Sequence, residues 1–371
     1  MKEREPKMDH NSMMDQEPMM EHNSMNEGNE ADESGRVLGV PLVRTTRGGR
    51  TENVHAGHAA VVSADGELLR FAGDAGVWTF MRSTAKPVQA LPAVLGGVLE
   101  AYGLDEAALA MMCASHQGGP EHLAVLERML WQTGVREEQL AFGPALPSGE
   151  RARHELLRSG GGPRKLYHVC AGKHIGMLAL CRLRGWPLET YTRPDHPLQR
   201  ELLRLVADIA GMPPEAVGLA VDGCGLPVFA LPLRRLALVY ARLSARPAEW
   251  ADDAVRASAE RIAAAMNRHP ALVEGPGRLA SVMLGDGNIV AKSGAQGVFV
   301  FALRRERLAV ALKLADGGET AWPEAVCAAL GQLGCGGELV RRIREQFPPS
   351  IRNDAGQTVG RTEPVFRLES P

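Results

Sequence analysis

Hydrophobic and polar positions along the first part of the chain follow the pattern of β-strands and then of a helix. Residues 59–62 and 68–71 are apolar runs that flank Ser63-Ala64-Asp65-Gly66-Glu67, in which Asp-Gly is typical of a β-hairpin turn. From Val88 to Leu95 the apolar residues follow a helical period, with Pro87 in the first turn. The sequence therefore predicts a hairpin followed by a helix that begins at or just after Ser83.

The middle and the end of the chain predict two further types of structure. Helices are expected over residues 104–114, 120–134, 174–184, 197–210 and 248–266, with a short buried strand over 217–221. Strand-like runs follow at 279–283, 288–292, 297–303 and 308–314, and then helices at 320–333 and 336–347. This order predicts an α+β fold, in which both ends of one domain build an antiparallel sheet flanked by helices. A helical subdomain would be inserted between those ends, with a cleft at the junction.

The domain boundaries come from changes in composition. Residues 1–35 are polar, rich in Met, Asn and Glu, and contain a short imperfect repeat, so we expect a disordered tail. Residues 36–347 are expected to form the catalytic domain. Residues 348–371 are polar and are predicted to be a C-terminal tail.

Composition and charge exclude several classes of function. The 371 residues are 45% hydrophobic and 23% charged, as in an ordinary globular enzyme. A net charge of −2 and a pI near 6.6 argue against binding to nucleic acid or to an anionic membrane. No apolar run approaches ~20 residues, and no apolar leader precedes the domain, so we expect a cytoplasmic protein.

Three short motifs carry candidate acyl-transfer chemistry. Ser83 and Lys86 stand three residues apart, so they share a helical face on which an amine can take a proton from a hydroxyl. Ser115-His116-Gln117 and Lys292-Ser293-Gly294 follow in the order S-x-x-K, S-D-N, K-T-G of serine β-lactamases and penicillin-binding proteins. Gln replaces Asn in the second motif, and Ser replaces Thr in the third. Taken alone, the Ser83-x-x-Lys86 motif is common by chance and is better explained by an N-cap serine and a solvated lysine.

Two cysteine-containing loops are a second candidate site. Cys170-Ala171-Gly172-Lys173-His174 precedes a predicted helix, and a helix start lowers the pKa of a thiol. Asp222-Gly223-Cys224-Gly225 follows a predicted strand. If the loops face each other, two thiolates and a nitrogen suit Zn²⁺. A catalytic cysteine and plain buried thiols are the alternatives. Cys113, Cys181 and Cys327 lie in apolar helical patterns and are expected to be small buried hydrophobic residues.

Six ordered motifs between Val37 and Phe347 resemble those of the Rhizobium etli-type (class 3) L-asparaginases. They are residues 82–92, 115–122, 170–174, 222–227, 275–278 and 289–295. The resemblance implies a fold similar to serine β-lactamases and glutaminases, hydrolysis of L-asparagine to aspartate and ammonia, and a homodimer. Residues 280–283 depart from the family pattern, because an acidic residue expected there is missing.

The resemblance also implies roles for individual residues. Ser83–Lys86 and Ser115–Lys292 would be the paired catalytic groups, and Cys170, Lys173 and Cys224 would hold a zinc ion near the substrate. The substrate-binding positions would be Arg82, His122, His174 and Asp222.

As a mechanism, we expect Ser83 to attack the side-chain amide, with Ser115 relaying protons or orienting the substrate; Ser115 as the nucleophile is the alternative. Lys86 is a base only when it is neutral, and burial beside Lys292 would lower its pKa. Two other functions remain open at this point: a β-lactamase or D,D-peptidase, and a non-catalytic zinc-binding protein.

Overall fold

The computed structural model describes residues 39–244 and 253–371, so the predicted disordered tail lies outside the described residues. The strands are β1 (Val40–Arg47), β2 (Arg50–Ser63), β3 (Leu68–Ala72), β4 (Trp78–Phe80), β5 (Gly218–Val221), β6 (Pro227–Pro232), β7 (Ile289–Gly294), β8 (Val298–Leu303), β9 (Leu308–Leu314), β10 (Ser350–Arg352) and β11 (Thr358–Pro364).

The helices occupy most of the chain between these strands. They are α1 (Lys86–Leu95), α2 (Val98–Tyr102), α3 (Glu106–Met112), α4 (Pro120–Thr133), α5 (Glu150–Arg158), α6 (Ala171–Leu183), α7 (Pro197–Ala210), α8 (Leu233–Ser244), α9 (Asp253–Arg268), α10 (Pro270–Glu274), α11 (Leu279–Leu284), α12 (Trp322–Gln332) and α13 (Gly337–Gln346). A 3₁₀ turn over Arg82–Ala85 leads directly into α1.

The strands form a large and a small antiparallel sheet. The large sheet has the order β10-β11-β1-β2-β9-β8-β7, with β3 also paired to β2, and the small sheet has the order β4-β6-β5. The long strand β2 is central, since it pairs with β1, β3 and β9. The two ends of the domain therefore meet in one sheet, and the predicted α+β fold class, an antiparallel sheet flanked by helices, is confirmed.

The two faces of the large sheet pack against different helices. Alternate residues of a strand point to opposite faces, so Ala60 and Val62 of β2 join the core beneath α1, α3, α6, α8 and α9. Ala59 and Val61 point to the other face, where α11, α12 and α13 pack. In β7, Val290 belongs to the first core. Lys292, two residues further on, therefore projects to the same face, toward α1.

The predicted hairpin between β2 and β3 and most of the predicted helices are present, but three predictions are wrong. Residues 279–283 were expected to be a strand and instead lie in α11, because their side chains are buried on a helical period against α13 and the sheet. The strand at 217–221 exists but is mostly exposed, since it lies at the edge of the small sheet.

The third correction concerns residues 348–371, which we expected to be a tail. Residues 350–364 contain β10 and β11, and β11 pairs with β1 over Val43–Arg47. The segment is therefore part of the large sheet, and the domain extends past residue 347. No helix among the described residues is both long and apolar enough to cross a membrane.

Candidate active site

The turn that carries Ser83 is held by hydrogen bonds to its backbone on both sides. The N–H of Met81 donates to the carbonyl of Phe229 at 2.8 Å, which continues the pairing of β4 with β6. Tyr240 donates to the carbonyl of Thr84 at 2.8 Å from α8. Ser83 lies half-buried between these anchors, at the position where the chain changes from strand to helix.

Arg82, directly before Ser83, adopts a left-handed backbone conformation with φ 49°. This conformation is uncommon outside glycine and persists where the surroundings hold it. The guanidinium of Arg82 pairs with Oδ1 of Asp222 at 3.0 Å, and the same carboxylate accepts the N–H of Gly223 at 2.9 Å. The ion pair therefore ties the Ser83 turn to the loop that carries Cys224.

Lys86 is the first residue of α1 and is 1% exposed. Its ammonium donates to Oγ of Ser115 at 2.9 Å and to the carbonyls of Ala114 at 2.5 Å and Val169 at 3.1 Å. These three oxygens use all three N–H groups, so the predicted contact between Lys86 and Ser83 is not present. In the structure, the hydroxyl paired with Lys86 is that of Ser115.

The environment of Lys86 favours its neutral form. Burial lowers the pKa of Lys86 to about 8, and the nearby Lys173 and Lys292 ammonium groups act in the same direction, while the Cys170 thiolate opposes them. The ordinary pKa of lysine is about 10.4. The lowered pKa means that a useful fraction of Lys86 is neutral near pH 7–8, which a general base requires.

Ser115 and Lys292 do not form the predicted pair. The N–H of Ser115 donates to the carbonyl of Val273 at 2.7 Å. Lys292, which is fully buried, forms an ion pair with Glu274 and donates to the carbonyl of Ser293 at 3.0 Å. The motif lysine of β7 therefore has a carboxylate partner rather than a serine hydroxyl.

Glu274 is a site residue that the sequence analysis did not single out. It ends α10 and is 3% exposed. Burial alone would raise its pKa, but the charge of Lys292 and hydrogen bonds from Lys292 and Ser293 hold the pKa below its usual value. An isolated glutamate in a short helix gives no signal in a single sequence, although the motif Gly275-Pro276-Gly277-Arg278 follows it directly.

The two cysteine loops come together as predicted. Cys170 caps the start of α6, Lys173 lies in its first turn, and both face Cys224 from the loop after β5. Lys173 Nζ lies 3.4 Å from Cys224 Sγ. A hydrogen bond from Cys224 lowers the pKa of Cys170 well below its usual value, against the effect of burial and with help from Lys86 and Lys173. The same hydrogen bond, followed by burial, raises the pKa of Cys224.

These donors are chemically suited to a soft or borderline metal ion. Two buried thiols and an amine converge, which matches the preference of Zn²⁺ for sulfur and nitrogen. Burial opposes protonation of Lys173, but Cys170, Cys224 and Asp222 raise its pKa, so a metal bound there would have to displace a proton. No group of three or more His, Cys, Asp or Glu side chains in the described ranges is arranged to hold a metal. The predicted zinc set fits only with Lys173 included.

The predicted substrate-binding residues fall into two groups. Arg82 and Asp222 are half-buried and adjoin the serine turn. His122 and His174 are fully buried. Nδ1 of His122 accepts the N–H of Gly119 at 3.1 Å, and its Nε2 lies 3.1 Å from the carbonyl of Ala271, so its ring is occupied with backbone groups.

His174 lies behind the thiol loop rather than at its surface. Its Nδ1 is 2.6 Å from the hydroxyl of Tyr191, and Phe142 packs edge-on against its ring. Burial holds the pKa of His174 well below its usual value. A neutral, fully enclosed imidazole supports the α6 loop from inside, so direct contact with a substrate would require a rearrangement.

The sequence matches the family model of L-asparaginase II over residues 43–364. The chain belongs to this family. The matched region runs from β1 to the end of β11, so it includes the C-terminal strands and every residue of the site described above. A comparison with curated proteins found no match.

Solved structures give a weaker likeness to this L-asparaginase II family member. The structure of Mglu in its native form is 17% identical, with 71% of this chain and 59% of that chain covered and a TM-score of 0.38. A β-lactamase from Mycobacterium bovis is 16% identical, with 74% and 94% covered and a TM-score of 0.39. The chain thus spans about three fifths of the length of the Mglu structure. At these scores, the description of the fold rests on the sheets and helices of the chain itself.

Proposed function

We propose that this chain hydrolyses L-asparagine to L-aspartate and ammonia through an acyl-enzyme formed on a serine. The observation that carries the proposal is the environment of Lys86. This buried lysine has a pKa of about 8, contacts the hydroxyl of Ser115, and directly follows the 3₁₀ turn that contains Ser83. This arrangement supplies a base at neutral pH without a histidine. It matches the family assignment, which makes an amide the expected substrate.

Ser83 is the proposed nucleophile, and Ser115 is the proposed relay to Lys86. Ser83 is half-buried, and no acceptor among the described residues takes its backbone N–H. A free N–H beside an attacking hydroxyl can stabilise the oxyanion that forms on the amide carbon. The N–H of Ser115 is already bonded to Val273, so Ser115 lacks this property.

In the proposed reaction, Oγ of Ser83 bonds to the side-chain carbonyl carbon of asparagine while its proton passes through Ser115 to Lys86. The C–N bond then breaks, and Lys86 returns the proton to the leaving group, which departs as ammonia. Water attacks the ester by the reverse proton route and releases aspartate. Lys86 therefore acts first as a base and then as an acid.

The head of the substrate carries an ammonium and a carboxylate, and the site offers one charge of each sign. Arg82 can bind the α-carboxylate in a bidentate manner, and Asp222 can accept hydrogen bonds from the α-ammonium. The two side chains satisfy each other in the absence of substrate, at 3.0 Å. We propose that this pair opens to bind the zwitterionic head.

A zinc ion held by Cys170, Lys173 and Cys224 is part of the proposal, and when bound it supplies a positive charge that orients the substrate. The chain's own residues contribute the rest: Cys170 is already disposed to be a thiolate, and the Arg82–Asp222 pair joins the thiol loop to the serine turn. Homodimer assembly remains a prediction from the family resemblance, and cytoplasmic location remains a prediction from the sequence.

The test is ammonia release from L-asparagine, with L-glutamine in parallel, by the full-length chain and two variants. Ser83→Ala should lower kcat by about 10³-fold or more, because an acyl-enzyme mechanism has no substitute nucleophile. Ser281→Ala is the matched control, since Ser281 is a buried serine in α11 that only donates to the carbonyl of Pro270.

Three results would contradict parts of this proposal. Substantial turnover by Ser83→Ala, or an acyl adduct located on Ser115 by mass spectrometry, would move the nucleophile to Ser115. Faster release from L-glutamine than from L-asparagine would overturn the substrate assignment. Acylation by a labelled penicillin, without amide turnover, would favour the β-lactamase alternative.

A further inference from the structure

Two buried lysines meet at this site, and their partners differ in kind. Lys86 contacts only uncharged oxygens, those of Ser115, Ala114 and Val169. Lys292 contacts a carboxylate, that of Glu274. A buried amine surrounded by neutral acceptors gives up its proton readily, whereas one paired with a buried carboxylate keeps it. The two lysines are therefore suited to different tasks.

A single oxygen of Glu274 organises the end of β7. Its Oε1 accepts hydrogen bonds from Lys292 Nζ, from the N–H of Ser293 at 2.8 Å and from Oγ of Ser293 at 2.6 Å. Three donors around one buried oxygen, one of them an ammonium, favour an ionised carboxylate, since the anion is the stronger acceptor. The side chain of Lys292 is fixed in direction as a consequence.

The same short segment also positions Ser115. Val273 accepts the N–H of Ser115 at 2.7 Å, and Glu274 is the next residue. Gly275 then turns the chain with φ 104°, and a Cβ there would lie 2.6 Å from the side chain of Gln117, so a larger residue does not fit. Residues 273–275 thus connect the serine that contacts Lys86 to the strand that carries Lys292.

The other ionisable groups near Lys292 do not compete for its charge. Lys86 approaches from α1 and repels it. Cys113 approaches from the end of α3 and stays protonated, because burial raises the pKa of its thiol to about 12. Tyr240 of α8 lies near Cys113 and Glu274, and burial raises the pKa of its hydroxyl. Among the described residues around Lys292, Glu274 is therefore the anion.

We propose that Glu274 is a positioning residue that keeps Lys292 as a fixed ammonium, so that Lys292 acts as an electrostatic partner and Lys86 alone serves as the base. This inference rests on the proposed function. It replaces the expected Ser115–Lys292 pair with a division of roles between the lysines. The fixed charge of Lys292 disfavours a second ammonium nearby and so helps Lys86 to release its proton.

Replacement of Lys292 distinguishes a fixed charge from a base. Arginine keeps the charge but does not deprotonate, whereas methionine removes the charge. Lys292→Arg should keep kcat for L-asparagine within about tenfold of wild type, and Lys292→Met should lose about 10²–10³-fold. Equal loss in both variants, with circular dichroism showing both folded, would make Lys292 a base and overturn the proposal.

Replacement of Glu274 tests the positioning role through the pH profile. In Glu274→Gln, Lys292 loses the anion that holds its ammonium in place, so the repulsion that favours neutral Lys86 weakens and the pKa of Lys86 rises. The ascending limb of kcat/KM should move up by roughly one pH unit, which lowers kcat/KM at pH 7 by up to about tenfold. Glu274→Asp should return the limb toward its original position.

Glu324→Gln is the matched control, because Glu324 is also a buried carboxylate with a basic partner, Arg344, but lies in α12 on the other face of the sheet. Its profile should equal that of wild type. If the ascending limb of kcat/KM in Glu274→Gln stays at the wild-type pH and the variant shows only a lower thermal midpoint, Glu274 has only a structural role. That result would overturn the proposal.

A measurement on the wild-type chain separates this inference from the proposed function. Lysine NMR with ¹³Cε labels, with the Lys292 signal identified by its absence in Lys292→Arg, reports the charge of Lys292 directly. At pH 7 the Lys292 signal should have the chemical shift of an ammonium, as expected for a lysine paired with the Glu274 carboxylate. The shift of a neutral amine would overturn the inference even if asparagine is hydrolysed, and absence of asparagine turnover would overturn only the proposed function.

Discussion

The two faces of the large sheet differ in what they bury. On the face covered by α1, α6 and α8, four charged side chains are at least 96% buried: Lys86, Lys173, Glu274 and Lys292. On the face covered by α11, α12 and α13, Glu324 is the only lysine, arginine or carboxylate buried to this degree among the described residues. Burial of a charge is costly unless it is paired. The free-energy cost of charge burial is therefore concentrated on the face covered by α1, α6 and α8, where the sequence motifs lie. We call this the chemical face, and we call the face covered by α11, α12 and α13 the structural face.

Replacement of Lys86 should have the largest effect on activity and so tests the difference between the two faces most strongly. Lys86→Met removes the proposed base and should lower kcat by about 10³–10⁴-fold, and Lys86→Arg should do the same because arginine does not deprotonate. Steady-state ammonia release measures both. Lys313→Met, a half-buried lysine of β9, is the control and should stay within about threefold. Activity in Lys86→Arg would remove Lys86 from the role of base.

The thiol cluster should show the second largest effect. Cys224→Ser removes one of two sulfur donors, so zinc bound per chain should fall from about one to near zero, and KM for asparagine should rise about tenfold or more. Cys327→Ser provides the comparison on the structural face, since Cys327 is a buried thiol of α12. Metal content is measured by mass spectrometry after dialysis. Equal zinc in both variants would exclude the cluster as the metal site.

The pH dependence should reflect the chemical face alone. Lys86 is active when neutral, and its pKa is lowered to about 8, so kcat/KM should rise with pH and approach a plateau above that value. Stability should follow the same sign. Because the folded pKa of Lys86 lies below its unfolded value, the free energy of unfolding should rise between about pH 8 and about pH 10.5. A flat rate profile from pH 6 to pH 9 would contradict this assignment.

The smallest effect is expected on the structural face. Glu324 pairs with Arg344 at 3.3 Å, and its Oε1 has no hydrogen-bond partner in the described part of the chain. Glu324→Leu should therefore change the free energy of unfolding by no more than about 1 kcal/mol, in the stabilising direction, with kcat and KM unchanged. Urea denaturation measures the difference. Loss of activity in this variant would break the distinction between the two faces.

Helices and strands were predicted well from the sequence where a single hydrophobic period dominated the segment. The β2–β3 hairpin and helices such as α4 and α7 lie close to their expected bounds, because turn residues and apolar periodicity agreed. Residues 279–283 are short and apolar apart from Ser281, so hydrophobic periodicity alone did not separate helix from strand. The polar strands β10 and β11, at one end of the large sheet, were missed because neither presents a continuous apolar face.

The sequence motifs singled out residues that lie near one another in the structure, but they did not predict which side chains contact each other. Ser83, Lys86, Ser115 and Lys292 occur in ordered motifs, and the cysteine loops do converge. The partner of Lys86 depends on the carbonyls of Ala114 and Val169, which are distant in sequence and fix its side chain away from Ser83. Tertiary acceptors of this kind leave no local trace in a sequence.

The order of strands in the large sheet has a consequence for synthesis on the ribosome. Gly57 of β2 pairs with Leu314 of β9, and Val43 of β1 pairs with Pro364 of β11. At about 5–20 residues per second, β2 waits roughly 13–50 s for its neighbour to be translated. During that interval its apolar edge is open to other chains, which favours aggregation. The nascent chain should therefore depend on chaperones until the last strands emerge, and slower translation should lower the yield of folded protein.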